Sequence, residues 1–148
     1  MNYSDKNKQK DIFQMHQSKL SFTPFIGALI ITIVIFYGSF SPDTGGIGII
    51  DKLGLNFKNS DKLIHLLFYL LLSISIYWGF IRQKTVLTKN IIHIYSLSIP
   101  FIIGGFVEII QGCFIQSRQG EIEDMAANTL GILIGFLIYQ IYLKHYNR

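Results

Sequence analysis

Four apolar stretches, at about residues 20–40, 63–81, 91–114 and 125–143, constrain this chain more than any other feature. Each is close to the roughly 20 residues that a helix needs to cross about 30 Å of hydrocarbon. Peptide groups in lipid must find their hydrogen bonds within the protein, so a segment of this length satisfies them best as an α-helix. None of the stretches alternates apolar and polar residues as a membrane strand would. The expected fold is therefore all-α, an integral membrane bundle of four transmembrane helices spanning residues 20–143. A polar tail precedes it (1–19) and a short one follows (144–148).

Composition agrees with a bilayer rather than a water-soluble core. Half of the 148 residues are hydrophobic and only 15% are charged, against about 25% charged in a soluble domain. The net charge of +4 is scattered between apolar blocks and forms no basic stripe, so membrane lipids are the expected partner and nucleic acid is not. The first stretch is longer than a signal-peptide core and no A-x-A-like site follows it, so it reads as a retained helix. Pro24 suits a first helical turn. Pro100, four residues before Gly104-Gly105, predicts a kink or loosened segment in the third helix. Cys113, the lone cysteine, reads as a packing residue beside an apolar helix.

Orientation follows from the basic flanks. Lys6, Lys8, Lys10 and Lys19 precede the first helix, Arg82, Lys84 and Lys89 join the second to the third, and Lys144 and Arg148 end the chain. The opposite side carries Lys52, Lys58, Lys62 and Arg118, and most of the acidic residues. Both termini are expected to be cytoplasmic, in a bacterial cytoplasmic membrane. Residues 41–60 would form an outer loop with an apolar, glycine-bearing centre, either flexible or a short interfacial helix.

Polar residues inside the spans converge on the outer side. Asp61, Lys62 and His65 open the second helix, with Tyr69 one turn deeper. Glu108 and Gln111 lie near the end of the third. Arg118 precedes the fourth, which opens with Asp124 and Asn128. Asp61, His65 and Tyr69 step by four and share a helical face, as do Asp124 and Asn128. Gly131-x3-Gly135 continues that face as a small-residue packing seam. Asp61-x3-His65 and Asp124-x3-Asn128 also form a weak internal echo.

Glu108 is the strongest single signal, because a carboxylate at membrane depth costs on the order of 2.5–3.5 kcal/mol and needs a partner. Arg118, Lys62, His65 and Gln111 reach its level. The group reads either as a hydrogen-bond network tying helices together or as a ligand-binding or proton-transferring site. A metal on His65, Asp61, Glu108 and Asp124 fits by ligand type, but no compact ligand spacing supports one, so no metal and no cofactor is expected. P-loop, G-x-S-x-G, C-x-x-C and H-E-x-x-H motifs are absent from the sequence.

The order and spacing of Asp61-Lys62-x2-His65, Glu108-x2-Gln111 and Arg118-x5-Asp124-x3-Asn128-Thr129-x-Gly131-x3-Gly135 resemble the VanZ-like family, over residues 60–142. Many members place Pro or Gly just before the arginine, where this chain has Gln116-Ser117. The family is named for an accessory protein of low-level resistance to the glycopeptide teicoplanin, and its members are small multi-helix membrane proteins. The resemblance implies no catalytic residue. The expected function is to bind or modify an amphipathic envelope component or a lipid-tailed antibiotic at the outer membrane face, with Lys62 and Arg118 meeting an anionic headgroup. The alternative is an intramembrane hydrolase or transferase on a lipid-linked substrate, with His65 or Glu108 as acid/base. The sequence leaves the oligomeric state and any role in resistance open.

Overall fold

The computed structural model describes residues 21–40, 60–83, 87–114 and 121–146. Arg118, the N-terminal tail and residues 41–59, where a loop or a short interfacial helix is expected, lie outside them. A 3-10 turn over Thr23–Phe25, with Pro24 in it, leads into helix α1 (Ile26–Phe40). Helices α2 (Ser60–Ile81), α3 (Lys89–Phe114) and α4 (Ile122–Tyr146) follow. All four spans are long and apolar enough to cross a membrane, so this is a four-helix, multi-pass membrane protein.

Only 17–33% of each span is buried inside the bundle. Leu29, Ile33, Leu67, Leu71, Ile102, Phe106, Leu133 and Leu137 point outward, which is stable when the surroundings are hydrocarbon. The buried core is correspondingly small, built from Ala28, Ile35, Tyr69, Leu72, Ile76, Val107 and Ile132.

Helix α2 is the hub and packs most extensively on α4. The glycine seam explains the closeness of that pair. A Cβ on Gly131 would run into the carbonyl oxygen of Leu66 and stand 2.9 Å from the Leu70 nitrogen. A Cβ on Gly135 would stand 2.6 Å from Ser73 Oγ, and that hydroxyl donates to the Ile132 carbonyl at 3.3 Å. Close backbone approach substitutes for the hydrophobic drive that lipid does not supply between helices.

Helix α3 runs through Pro100 as one α-helix. Cys113 is exposed rather than packed. Helix α4 extends three residues past the expected end at 143; Lys144 and His145 occupy its last turn and Glu123 and Asp124 its first, matching the polarity of the helix dipole.

Candidate functional site

The polar residues of three helices meet at one end of the bundle. Helix α2 enters there with Asp61, Lys62 and His65, α3 leaves there with Glu108, and α4 enters with Asp124 and Asn128. Because α2 and α4 run side by side, the first turns of both bring their polar steps together. His65 Nδ1 lies 3.0 Å from Asn128 Oδ1, and His65 Nε2 lies 3.7 Å from Asp124 Oδ2. The two segments that echo each other in sequence thus face each other across the tightest helix pair.

Glu108 approaches from α3, its Oε1 3.9 Å from His65 Nδ1. Its other oxygen, Oε2, accepts the backbone N–H of Glu121 at 3.3 Å. Asp124 and Asn128 are 8% and 1% exposed, so the group extends from the rim into the protein interior.

Lys62 is surrounded by acid. Its Nζ lies 2.9 Å from Glu121, 3.2 Å from Glu123, 3.5 Å from Asp61 and 3.6 Å from Asp124. Sequence reasoning placed Glu121 and Glu123 only in the outer acidic total; the available signal was the run Glu121-Ile122-Glu123-Asp124 at a helix start. Five carboxylates (Asp61, Glu108, Glu121, Glu123 and Asp124) therefore gather around one ammonium and one imidazole among the described residues.

Gln111 does not join them. Although it follows Glu108 by three residues, its Nε2 donates to the Ser39 carbonyl at 3.1 Å and ties α3 to the end of α1. Tyr69, one turn below His65, is buried with a hydroxyl that has no hydrogen-bond partner. Its ring tip and the Asn128 amide meet over Gly104, where a Cβ would stand 3.2 Å from Tyr69 Cε1 and 3.3 Å from Asn128 Nδ2.

A second polar group, not anticipated from sequence, lies toward the other end. His93 Nε2 is 3.2 Å from Gln140 Nε2, and Tyr77 stacks on Tyr139 at 4.2 Å. The signal for it was a histidine in the third apolar stretch and a glutamine in the fourth. An open apolar groove of about 490 Å³ lies between α1 and α2, lined by Phe22, Phe25, Leu29, Leu72 and Ile76 with Ile99 of α3. It is remote from the acidic group.

Chemically, this group pairs a histidine with two largely buried carboxylates from different helices. Asn128 Oδ1 fixes which ring nitrogen carries a proton when the imidazole is neutral. That arrangement is suited to acid/base work or to holding a cation.

The family model for VanZ/LLP1 matches residues 5–143, nearly the whole chain. The chain belongs to the VanZ/LLP1 family. No curated protein and no solved structure matches it. Of the residues in which the sequence resembles the family, Asp61, Lys62, His65, Glu108, Asp124 and Asn128 are brought together by three helices. Of the other residues that carry the resemblance, Gln111 braces α1, Gly131 and Gly135 lie in the α2–α4 contact, and Arg118 is outside the described residues.

Proposed function

We propose that this VanZ/LLP1 protein binds or modifies an amphipathic envelope component, such as a lipid-linked precursor or a lipid-tailed antibiotic, at the outer face of the bacterial cytoplasmic membrane. The observation that supports the reading best is His65 set between Glu108 and Asp124 at a bundle end flanked by exposed apolar side chains. Leu63 and Leu67 on α2, Ile109 on α3 and Ile122 on α4 are all exposed. They offer acyl or prenyl tails a surface beside the polar group. A headgroup entering there meets His65, the carboxylates and Lys62. Lys62 already serves four carboxylates, so it does not present a bare anion site by itself. Basic flanks of 1–19, 82–89 and 144–148 support an inward placement of both termini.

A catalytic variant of the same reading draws support from the histidine–carboxylate contacts. His65 would act as acid/base on a lipid-linked substrate, its ring oriented by Asn128.

Purified protein in nanodiscs, titrated with a polyprenyl phosphate and with teicoplanin, tests both. Binding of either probe that weakens at least about tenfold in Glu108→Gln and His65→Ala, a loss of about 1.4 kcal/mol, supports the site. Unchanged affinities with normal membrane levels would overturn it. Turnover of the polyprenyl phosphate that disappears in His65→Ala selects the catalytic variant.

A further inference from the structure

The polar group holds more formal negative charge than its described cations balance, and several of its buried polar atoms receive no hydrogen bond. Glu108 Oε1 is buried and receives no hydrogen bond; Asp124 Oδ1 receives none either and has only the Lys62 ammonium, 3.6 Å away. Asp124 as a residue is more than nine-tenths buried. A carboxylate oxygen removed from water without a donor is costly; Glu108 Oε1 is such an atom 3.9 Å from the His65 ring, and Asp124 presents its Oδ2 to the same ring at 3.7 Å.

The imidazole sharpens the point. When His65 Nδ1–H donates to Asn128 Oδ1, Nε2 is left with its lone pair turned toward Asp124 Oδ2, 3.7 Å away. A lone pair facing a carboxylate oxygen is repulsive unless something positive lies between them. Lys62 Nζ approaches Asp124 from the other oxygen, Oδ1, and leaves that gap open.

One nitrogen of His65 and one oxygen each of Glu108 and Asp124 lie within 4.8 Å of one another. Bonds of about 2.1 Å in a tetrahedral zinc site place ligand atoms about 3.4 Å apart. The His65–Asp124 separation needs to close by only a few tenths of an ångström, and the wider gaps by side-chain rotation.

We propose that His65, Glu108 and Asp124 form a binding site for a first-row divalent transition-metal ion such as Zn²⁺. One imidazole with two carboxylates is a borderline donor set, which favours such an ion over Mg²⁺ or Ca²⁺ with their all-oxygen preference. Three protein ligands leave a coordination position open, the pattern of catalytic rather than structural zinc. Asn128 is the positioning residue: its oxygen, 3.0 Å from His65 Nδ1, orients the ring between the two carboxylates. The unpartnered Asn128 Nδ2 and Tyr69 hydroxyl below are donors suited to an oxygen carried on the metal. A cation here also gives an anionic headgroup the positive charge that Lys62, shared among carboxylates, does not. The inference deepens the ligand-binding reading of the same site.

The test uses the full chain in nanodiscs, stripped with chelator and titrated with Zn²⁺ alone and with Co²⁺ alone. One saturable site per chain is expected, with Co²⁺ ligand-field absorption and an X-ray absorption spectrum showing one imidazole nitrogen among oxygen ligands. His65→Gln and Glu108→Gln should each weaken binding at least about 100-fold, and Asn128→Ala by about 10–100-fold. His93→Gln, in the second polar group, should leave affinity unchanged. Far-UV circular dichroism and monodisperse elution establish that each variant is folded, and the wild-type spectra stand without any variant. Absence of saturable binding, a spectrum lacking imidazole, or equal affinity in folded His65→Gln would overturn the proposal. The metal is titrated without any lipid probe, so failure of the metal site and failure of the ligand reading appear in separate experiments.

Discussion

Substituting Gly131 with alanine probes the contact on which the site geometry depends. The added Cβ would meet backbone, the Leu66 carbonyl and the Leu70 nitrogen of α2. Backbone cannot rotate out of the way as a side chain can, so the two helices must separate or shift. Overpacking of this kind costs about 1–3 kcal/mol, and a clash against two main-chain atoms belongs at the upper end. Alanine recovers at most about 1 kcal/mol of helix propensity relative to glycine. The net expectation is a loss of about 2 kcal/mol, close to a 30-fold shift in the unfolding equilibrium. Gly105→Ala is the matched control: its Cβ would meet only the Met125 methyl at 3.7 Å, an ordinary contact, so the propensity gain should leave stability equal or slightly higher. Equilibrium unfolding of both variants in mixed detergent micelles measures the difference. Asn128 and Asp124 ride on α4 one to two turns before Gly131, so Gly131→Ala should also weaken whatever binds at His65. Equal stability of the two variants would refute the idea that backbone contact sets the α2–α4 distance.

Three further outcomes are expected. Glu108→Gln removes a largely buried charge from an acid-rich group and keeps an acceptor for the Glu121 N–H, so the ligand-free protein should gain about 1 kcal/mol or more in the same unfolding assay while binding at the site falls. Gln111→Ala leaves the Ser39 carbonyl without its donor and should cost about 1–2 kcal/mol. Its probe affinity should be unchanged, because that amide braces α1 rather than the site. The proposed inward placement of both termini predicts that a C-terminal green fluorescent protein fusion is fluorescent and a C-terminal alkaline phosphatase fusion inactive.

The four spans were legible in the sequence because lipid imposes one requirement on every residue of a span: apolar side chains and internally satisfied peptide groups. That requirement is local and additive along the chain, so helix number and approximate bounds follow without any tertiary information. The family motifs were legible for a related reason, since Asp61/His65 and Asp124/Asn128 each repeat at one helical turn. Which residues touch was a different matter. Glu108 and Gln111 share a face of α3, yet one turns to His65 and the other to Ser39, because α1 lies beside only the second. Lys62 looked available for an anion until Glu121, Glu123 and Asp124 of a segment some 60 positions away closed around it. Convergence of His65, Glu108 and Asp124 to within 4.8 Å depends on how closely α2 and α4 approach, which the Gly131 contact sets. Sequence by itself determined what crosses the membrane and at which level the polar residues sit; the packing of three helices alone decided which of them meet, since contacts between distant segments depend on helix rotation and separation that no single segment encodes.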